Sequence, residues 1–103
     1  MAGSNNTFTI GRNELRKTLV SLRMDEKSIL LLFNILNKAH RHINAIAFVT
    51  TLERMGLDRE RSGRVLRRIG MDDVVIANMF RMVDESKIDA EIGKVYNATI
   101  EFG

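Results

Sequence analysis

Apolar residues recur at helical spacing through the first part of the chain, where they predict two helices. Asn13 can cap a helix over residues 14–23, and Asp25 can cap the next one, over residues 26–39. The centre of this second helix, residues 29–36, is apolar nearly all round, as is typical of a helix surrounded by others. We therefore expect it to be the central helix of the core.

Residues 43–70 predict two more helices, which are joined by a short turn. The break falls at Met55, Gly56 and Leu57, because glycine tolerates the backbone conformation that ends a helix, and Asp58 can cap the helix that follows. Each helix of the pair carries an apolar stripe, Ile46, Val49 and Leu52 in the first and Val65, Leu66 and Ile69 in the second, where Ser62 lies on the same side.

A fifth helix is predicted after Gly70, with Asp72 or Asp73 as its cap. It covers residues 72–83, and residues 84–93 after it are acidic with marginal helical character. Its apolar stripe consists of Ile76, Met79, Phe80 and Val83, and such stripes usually pack into a core, although faces rich in methionine also suit partner binding.

Alternation of polar and apolar residues predicts a short strand at each end of the chain. Residues 7–10 alternate, and residues 94–102 place Tyr96, Ala98, Ile100 and Phe102 on one face. Two strands in one small domain most simply pair with each other. The predicted fold is therefore mainly α (α+β): about five short helices around a central apolar helix, with paired terminal strands. Residues 1–6 are expected to form a disordered tail, and residues 7–103 a single domain.

Charge is unevenly distributed along the 103 residues, whose formal net charge is +3. Residues 1–71 hold 13 Lys and Arg against 6 Asp and Glu, whereas residues 72–103 hold 3 against 7. Such asymmetry points to an anionic partner for the basic part, although the acidic segment could also fold against the basic helices.

The second helix of the 43–70 pair carries much of this positive charge. Two short helices joined by a turn that contains glycine, the second one basic, resemble a DNA-binding helix-turn-helix. Met55, Gly56, Leu57 and Val65 match the apolar and glycine positions of that motif. The chain departs from it at three positions, Thr51, Leu52 and Ser62, and Gly63 weakens the second helix.

The resemblance implies a small regulatory or chromosome-associated protein that binds duplex DNA. Glu60, Arg64, Arg67 and Arg68 would face the major groove or its phosphates, while Arg59 and Arg61 would contact backbone phosphates. A homodimer is expected through the fifth helix or the terminal strands. A wing hairpin should follow the basic helix in the winged version of the fold, but residues 72–83 predict a helix instead. The C-terminal strand could supply part of a wing by pairing with residues 8–10.

Two other interpretations remain open. The arginines could be the solvated face of an ordinary helical hairpin. Alternatively, residues 25–57 have the helix–loop–helix rhythm of an EF-hand, and residues 80–92 could begin another, but neither loop carries the calcium ligands. This resemblance implies a calcium-free protein-interaction module that works through Ile76, Met79, Phe80 and Val83 or through an exposed strand edge.

Other functional classes find little support in the sequence. There is no cysteine, no glycine-rich phosphate loop and no paired acid and base, so neither an enzyme nor a cofactor is expected. His40 and His42 lie in a basic connector, residues 38–42, without neighbouring carboxylates, which makes a metal site unexpected. No signal peptide is seen, and the longest apolar run is too short to span a membrane. A cytoplasmic location is the resulting expectation.

Overall fold

A computed structural model describes residues 6–89, 91 and 98–103 of the chain. Within these residues it contains five helices and a three-stranded sheet, so the prediction of a mainly α fold with a small β component is confirmed. The elements in chain order are β1 (Asn6–Ile10), α1 (Arg12–Ser21), α2 (Glu26–Lys38), β2 (His42–Asn44), α3 (Ala45–Arg54), α4 (Arg59–Ile69), α5 (Asp73–Ile88) and β3 (Ala98–Phe102). The predicted disordered tail lies outside the described residues except for Asn6, which begins β1.

Aspartate caps fix the start of three helices, as the sequence predicts. Asp58 accepts a hydrogen bond from the backbone N–H of Arg61 at 2.9 Å, and Asp72 accepts one from that of Val75 at 2.9 Å. Asp25 caps α2 in the same way. The predicted cap at Asn13 is wrong, because the chain passes directly from β1 into α1 and the helix begins two residues earlier, after Gly11.

The central helix of the core is α3 rather than α2. One side of α2 is buried, but Leu30 and Leu31 are 52% and 53% exposed, so the expectation that other elements surround this helix is wrong. In contrast, α3 packs against α4, α5, β2 and β3 and buries Ala45, Ile46, Phe48, Val49 and Leu52. An apolar run looks the same in sequence whether its neighbours cover one side of the helix or both.

The sheet joins the two ends of the described chain. β3 lies in the middle, pairing in parallel with β1 and antiparallel with β2, and Ile100 stands opposite both Phe8 and Ile43. The predicted pairing of the terminal strands is thus confirmed, whereas β2, which spans the end of the predicted connector and the start of the predicted helix pair, is not expected from the sequence. Ala98, Ile100 and Phe102 are buried as predicted, and residues 94–97, including Tyr96, lie outside the described residues.

No wing follows α4 within the described residues. The next element is α5, so no hairpin directly follows the basic helix, and β3 pairs with β1, residues 8–10 included, in a sheet that contributes to the core. The helix α5 extends to Ile88, five residues beyond the prediction. Ion pairs at helical spacing support this extension, namely Arg81 with Glu85 and Lys87 with Asp84.

The apolar stripe of α5 lies inside the protein. Ile76, Met79 and Val83 belong to the core cluster, and Phe80 is half-buried against it. Three of the four residues predicted from the sequence to form a partner surface are thus buried, because α3 and α4 pack against α5, and Phe80 is the most exposed of them. In the part of the chain described here, no helix combines the length and apolar character needed to cross a bilayer.

Candidate nucleic-acid interface

The helices α3 and α4 are joined by the glycine-containing turn that the sequence predicts. Gly56 has a φ of +92°, in the left-handed region that glycine adopts without strain. The N–H of Leu57 then donates to the carbonyl of Leu52 at 3.1 Å, and the Leu57 side chain is buried. Asp58 caps α4, and the hydrogen bond that its carboxylate accepts from the backbone N–H of Arg61 is the main cause that lowers the pKa of Asp58. The turn therefore sets the direction of α4 relative to α3.

The inner side of α4 is anchored in the core, as predicted. Ser62, Val65, Leu66 and Ile69 are buried, and the helix packs against α1, α3 and α5. The Ser62 hydroxyl lies 3.5 Å from the carbonyl of Leu57, which satisfies this buried polar group. The core thus holds one side of α4, and the opposite side faces solvent.

Arg61 was predicted to contact phosphate, but its guanidinium is bound to the protein's own backbone. It donates to the carbonyl of Leu22 at 3.1 Å and to the carbonyl of Gly56 at 3.1 Å. These bonds join the turn after α1 to the turn before α4. Arg61 thus helps to hold α4 in place.

Arg59 is held by three side chains from two other helices. Its guanidinium donates to both oxygens of Asp84, one of them at 2.9 Å, and to Glu53 at 3.2 Å. It also lies 5.0 Å from the centre of the Phe80 ring. The hydrogen bond to Asp84 is the main cause that raises the pKa of Arg59, and the same bond lowers the pKa of Asp84. These acidic surroundings make Arg59 a poor phosphate ligand.

The other three arginines of α4 are open to solvent. The side chains of Arg64, Arg67 and Arg68 are 65%, 66% and 60% exposed. Each contacts one carboxylate, which belongs to Glu60, Asp73 and Glu14, respectively. Ion pairs of this exposed kind contribute about 0–1 kcal/mol, so an external anion can replace the carboxylate at little cost.

The acidic C-terminal segment covers only part of this helix. Through Asp84 and Asp73 it takes Arg59 and Arg67 as partners. Arg64 and Arg68 pair with carboxylates that precede residue 72 in the chain. The charge pattern left two possibilities open, an exposed basic patch and a patch paired with the acidic segment. The structure combines them, because the acidic segment pairs with some of the α4 arginines and not with others.

Two grooves flank α4. The first, of about 570 Å³, lies between α1 and α4, where Lys17, Arg64 and Arg68 contribute to its walls. The second, of about 530 Å³, lies between α4 and α5 and has Gly63 and Phe80 in its lining. Lys17 is exposed and forms no ion pair within the described part of the chain. Sequence reasoning missed this residue, because only the packing of α1 on α4 brings it to the arginines.

The loop between α2 and α3 has the course of a helix–loop–helix unit without calcium ligands. His40 and Arg41 adopt φ angles of 56° and 63°, and both side chains are exposed. His42 lies 3.6 Å from the carboxylate of Glu101, a neighbour that the sequence did not reveal. Among the described residues, no group of three or more His, Cys, Asp or Glu is arranged to hold a metal ion.

Comparisons with protein-family models, with curated protein sequences and with solved structures gave no significant match.

Proposed function

We propose that this protein binds duplex DNA through the outer side of α4 and acts in the cytoplasm as a transcription-regulating or chromosome-associated factor. The observation that carries the proposal is the exposure of Arg64, Arg67 and Arg68 on a helix whose other side is fixed in the core. Three solvent-exposed cations on a helix that is anchored in the core suit a polyanion with regularly spaced charges.

The dimensions of α4 fit the major groove of B-DNA. An α-helix with its side chains is about 10–12 Å across, and the major groove is about 12 Å wide. An arginine there can donate two hydrogen bonds to a guanine, and Glu60, which lies on the same outer side, can accept one from a cytosine amino group. In this proposal Arg59 and Arg61 position the helix instead of contacting DNA.

Electrostatic attraction supports the same proposal. The excess of positive charge lies in residues 1–71, which contain α1 and α4. Neutralisation of phosphates by lysine and arginine releases counterions from DNA and so favours binding at low salt. The carboxylates of Glu14, Glu60 and Asp73 would compete with these phosphates, which restricts strong binding to partners with closely spaced charges.

An NMR titration with a mixed-sequence DNA duplex tests this proposal residue by residue. We expect the side-chain Nε–H signals of Arg64, Arg67 and Arg68 to shift as DNA is added. The signal of Arg59, which is held by Glu53 and Asp84, and that of Arg81 on α5 should stay nearly unchanged and serve as internal controls. Absence of shifts, or shifts confined to the loop of residues 38–42, would contradict the proposal.

A second candidate function is protein interaction through α2. It is favoured by Leu30 and Leu31, two neighbouring leucines that are about half exposed on the first helix of the helix–loop–helix unit. A second copy of the chain could cover them, and this would give the dimer that helix-turn-helix proteins commonly form. Sedimentation analysis of the protein and of Leu30→Ser/Leu31→Ser tests it. A dimer that dissociates in the variant supports this function, and a monomeric parent protein excludes a homodimer.

A further inference from the structure

The groove between α1 and α4 has the features of a phosphate site. We propose that it holds a phosphate of the DNA backbone and that Lys17 is its principal ligand. This inference rests on the proposed function and extends it to α1, a helix outside the helix pair. The occupant is a phosphodiester of the same duplex that contacts α4.

The charges that line the groove favour an anion. Lys17, Arg64 and Arg68 contribute three cations, against one carboxylate, Glu14, among the lining residues that the structure describes. Lys17 forms no ion pair there, so its ammonium group can bind a phosphate without first leaving an internal carboxylate. An ammonium group is a compact point charge that suits a phosphate oxygen approached from any direction.

The hydroxyl groups in the groove are less available than the cations. The Thr18 hydroxyl donates to the carbonyl of Glu14 at 2.8 Å, and the Ser21 hydroxyl donates to the carbonyl of Thr18 at 2.7 Å. Both hydroxyl groups therefore already donate hydrogen bonds within α1. Recognition in the groove is electrostatic, and we expect it to be independent of base sequence, as is typical of backbone contacts.

Glu14 is an internal competitor for the same cations. Its carboxylate contacts Arg68, so a phosphate that enters the groove must exchange with it. Because Arg68 is 60% exposed and Glu14 is 39% exposed, water screens their attraction and the exchange costs little. The groove also adjoins the proposed DNA-binding side of α4, since Arg64 lines both grooves that flank this helix. A duplex on α4 would thus bring one backbone strand towards α1.

Two pairs of charge-matched variants test the inference by fluorescence anisotropy across a salt series. We expect Lys17→Ala to bind duplex DNA more weakly and to reduce the slope of log K against log salt by about 0.9, the value for one phosphate that is no longer neutralised. The control is Lys27→Ala, which replaces an exposed lysine of α2 and should leave this slope unchanged. Glu14→Gln should bind more tightly than the parent protein. Glu26→Gln, in which a carboxylate paired with Arg16 is neutralised, should show no such gain.

The outcomes separate this inference from the proposed function. The groove holds no phosphate if Lys17→Ala has the same DNA affinity and salt slope as Lys27→Ala, and if Glu14→Gln binds DNA no more tightly than Glu26→Gln. The proposed function still stands in that case, provided that substitution of the α4 arginines weakens binding. Should the parent protein not bind DNA at low salt, both fail. Thermal unfolding of each variant verifies that it is folded, and Lys17→Ala serves well here because Lys17 is exposed and unpaired among the described residues.

Discussion

At the scale of single residues, the arginines of α4 differ in what holds their guanidinium groups. Arg61 is bonded to carbonyl groups, Arg59 lies among carboxylates and an aromatic ring, and the other three face solvent. The sequence places all five arginines on one helix, but it does not show which of them bind partners within the protein and which face solvent. The partners that decide their roles, Leu22 and Asp84, are 39 and 25 residues away along the chain.

Replacement of Arg61 should therefore affect stability more than DNA binding. We expect Arg61→Ala to lower the free energy of unfolding by about 1–3 kcal/mol, because two carbonyl groups lose a charged donor. Urea denaturation measures this decrease, and the salt dependence of DNA binding should stay close to that of the parent protein. An Arg61→Ala variant with unchanged stability and weakened DNA binding would show that Arg61 contacts DNA after all.

Asp84 should make the stability of the protein depend on pH in acid. Its pKa in the folded protein is lowered below 3.8, mainly by the hydrogen bond from Arg59. The stabilisation is therefore present above a pH of about 3.8 and is lost as the pH falls through the lowered pKa. We expect the urea midpoint of Asp84→Asn to fall less steeply with acidification than that of the parent protein. In an Arg59→Ala background the same substitution should change little, and an equal effect in both backgrounds would contradict this origin.

At the scale of elements, most helices follow from local sequence, and the exceptions have physical causes. The stripes of α3 and α4 and the aspartate caps are local features, so they could be predicted. The strand β2, His42–Asn44, is too short for alternation to be visible, and it exists because β3 provides hydrogen-bonding partners. The end of α5 was missed because its last turns are polar, and ion pairs rather than an apolar stripe support them.

Gly63 in the middle of α4 offers a test of how this helix is built. A Cβ atom at this position would lie 3.8 Å from Phe80 and 3.9 Å from Ile76, which are ordinary van der Waals distances. We expect Gly63→Ala to raise the free energy of unfolding by about 0.5–1 kcal/mol, because alanine restricts the unfolded chain and favours the helix. Gly56→Ala should have the opposite effect, since φ at Gly56 is +92°. Thermal unfolding measures both, and destabilisation by Gly63→Ala would contradict the packing of α4 on α5.

At the scale of the whole molecule, the sheet and the helix packing decide what the surface can do. Pairing of the terminal strands could be predicted from alternation, but their parallel direction could not, because alternation is the same in both directions. The exposure of α2 and the burial of the α5 stripe depend on which helices become neighbours. The candidate site, too, could be predicted only in part from the sequence. Its arginines were visible in the sequence, whereas Lys17 and the competing Glu14 enter it only through the packing of α1 on α4.

The most direct test of DNA binding by α4 is the salt dependence of affinity for a mixed-sequence duplex, measured by fluorescence anisotropy. The parent protein is compared with Arg64→Ala/Arg67→Ala/Arg68→Ala and with Lys27→Ala/Arg54→Ala/Arg81→Ala, a control that removes the same charge from exposed positions on other helices. We expect steep salt dependence in the parent protein, a slope reduced by about 0.9 for each phosphate that the α4 variant no longer neutralises, and little change in the control. Equally weakened binding in both variants, or no binding at low salt, would contradict the account.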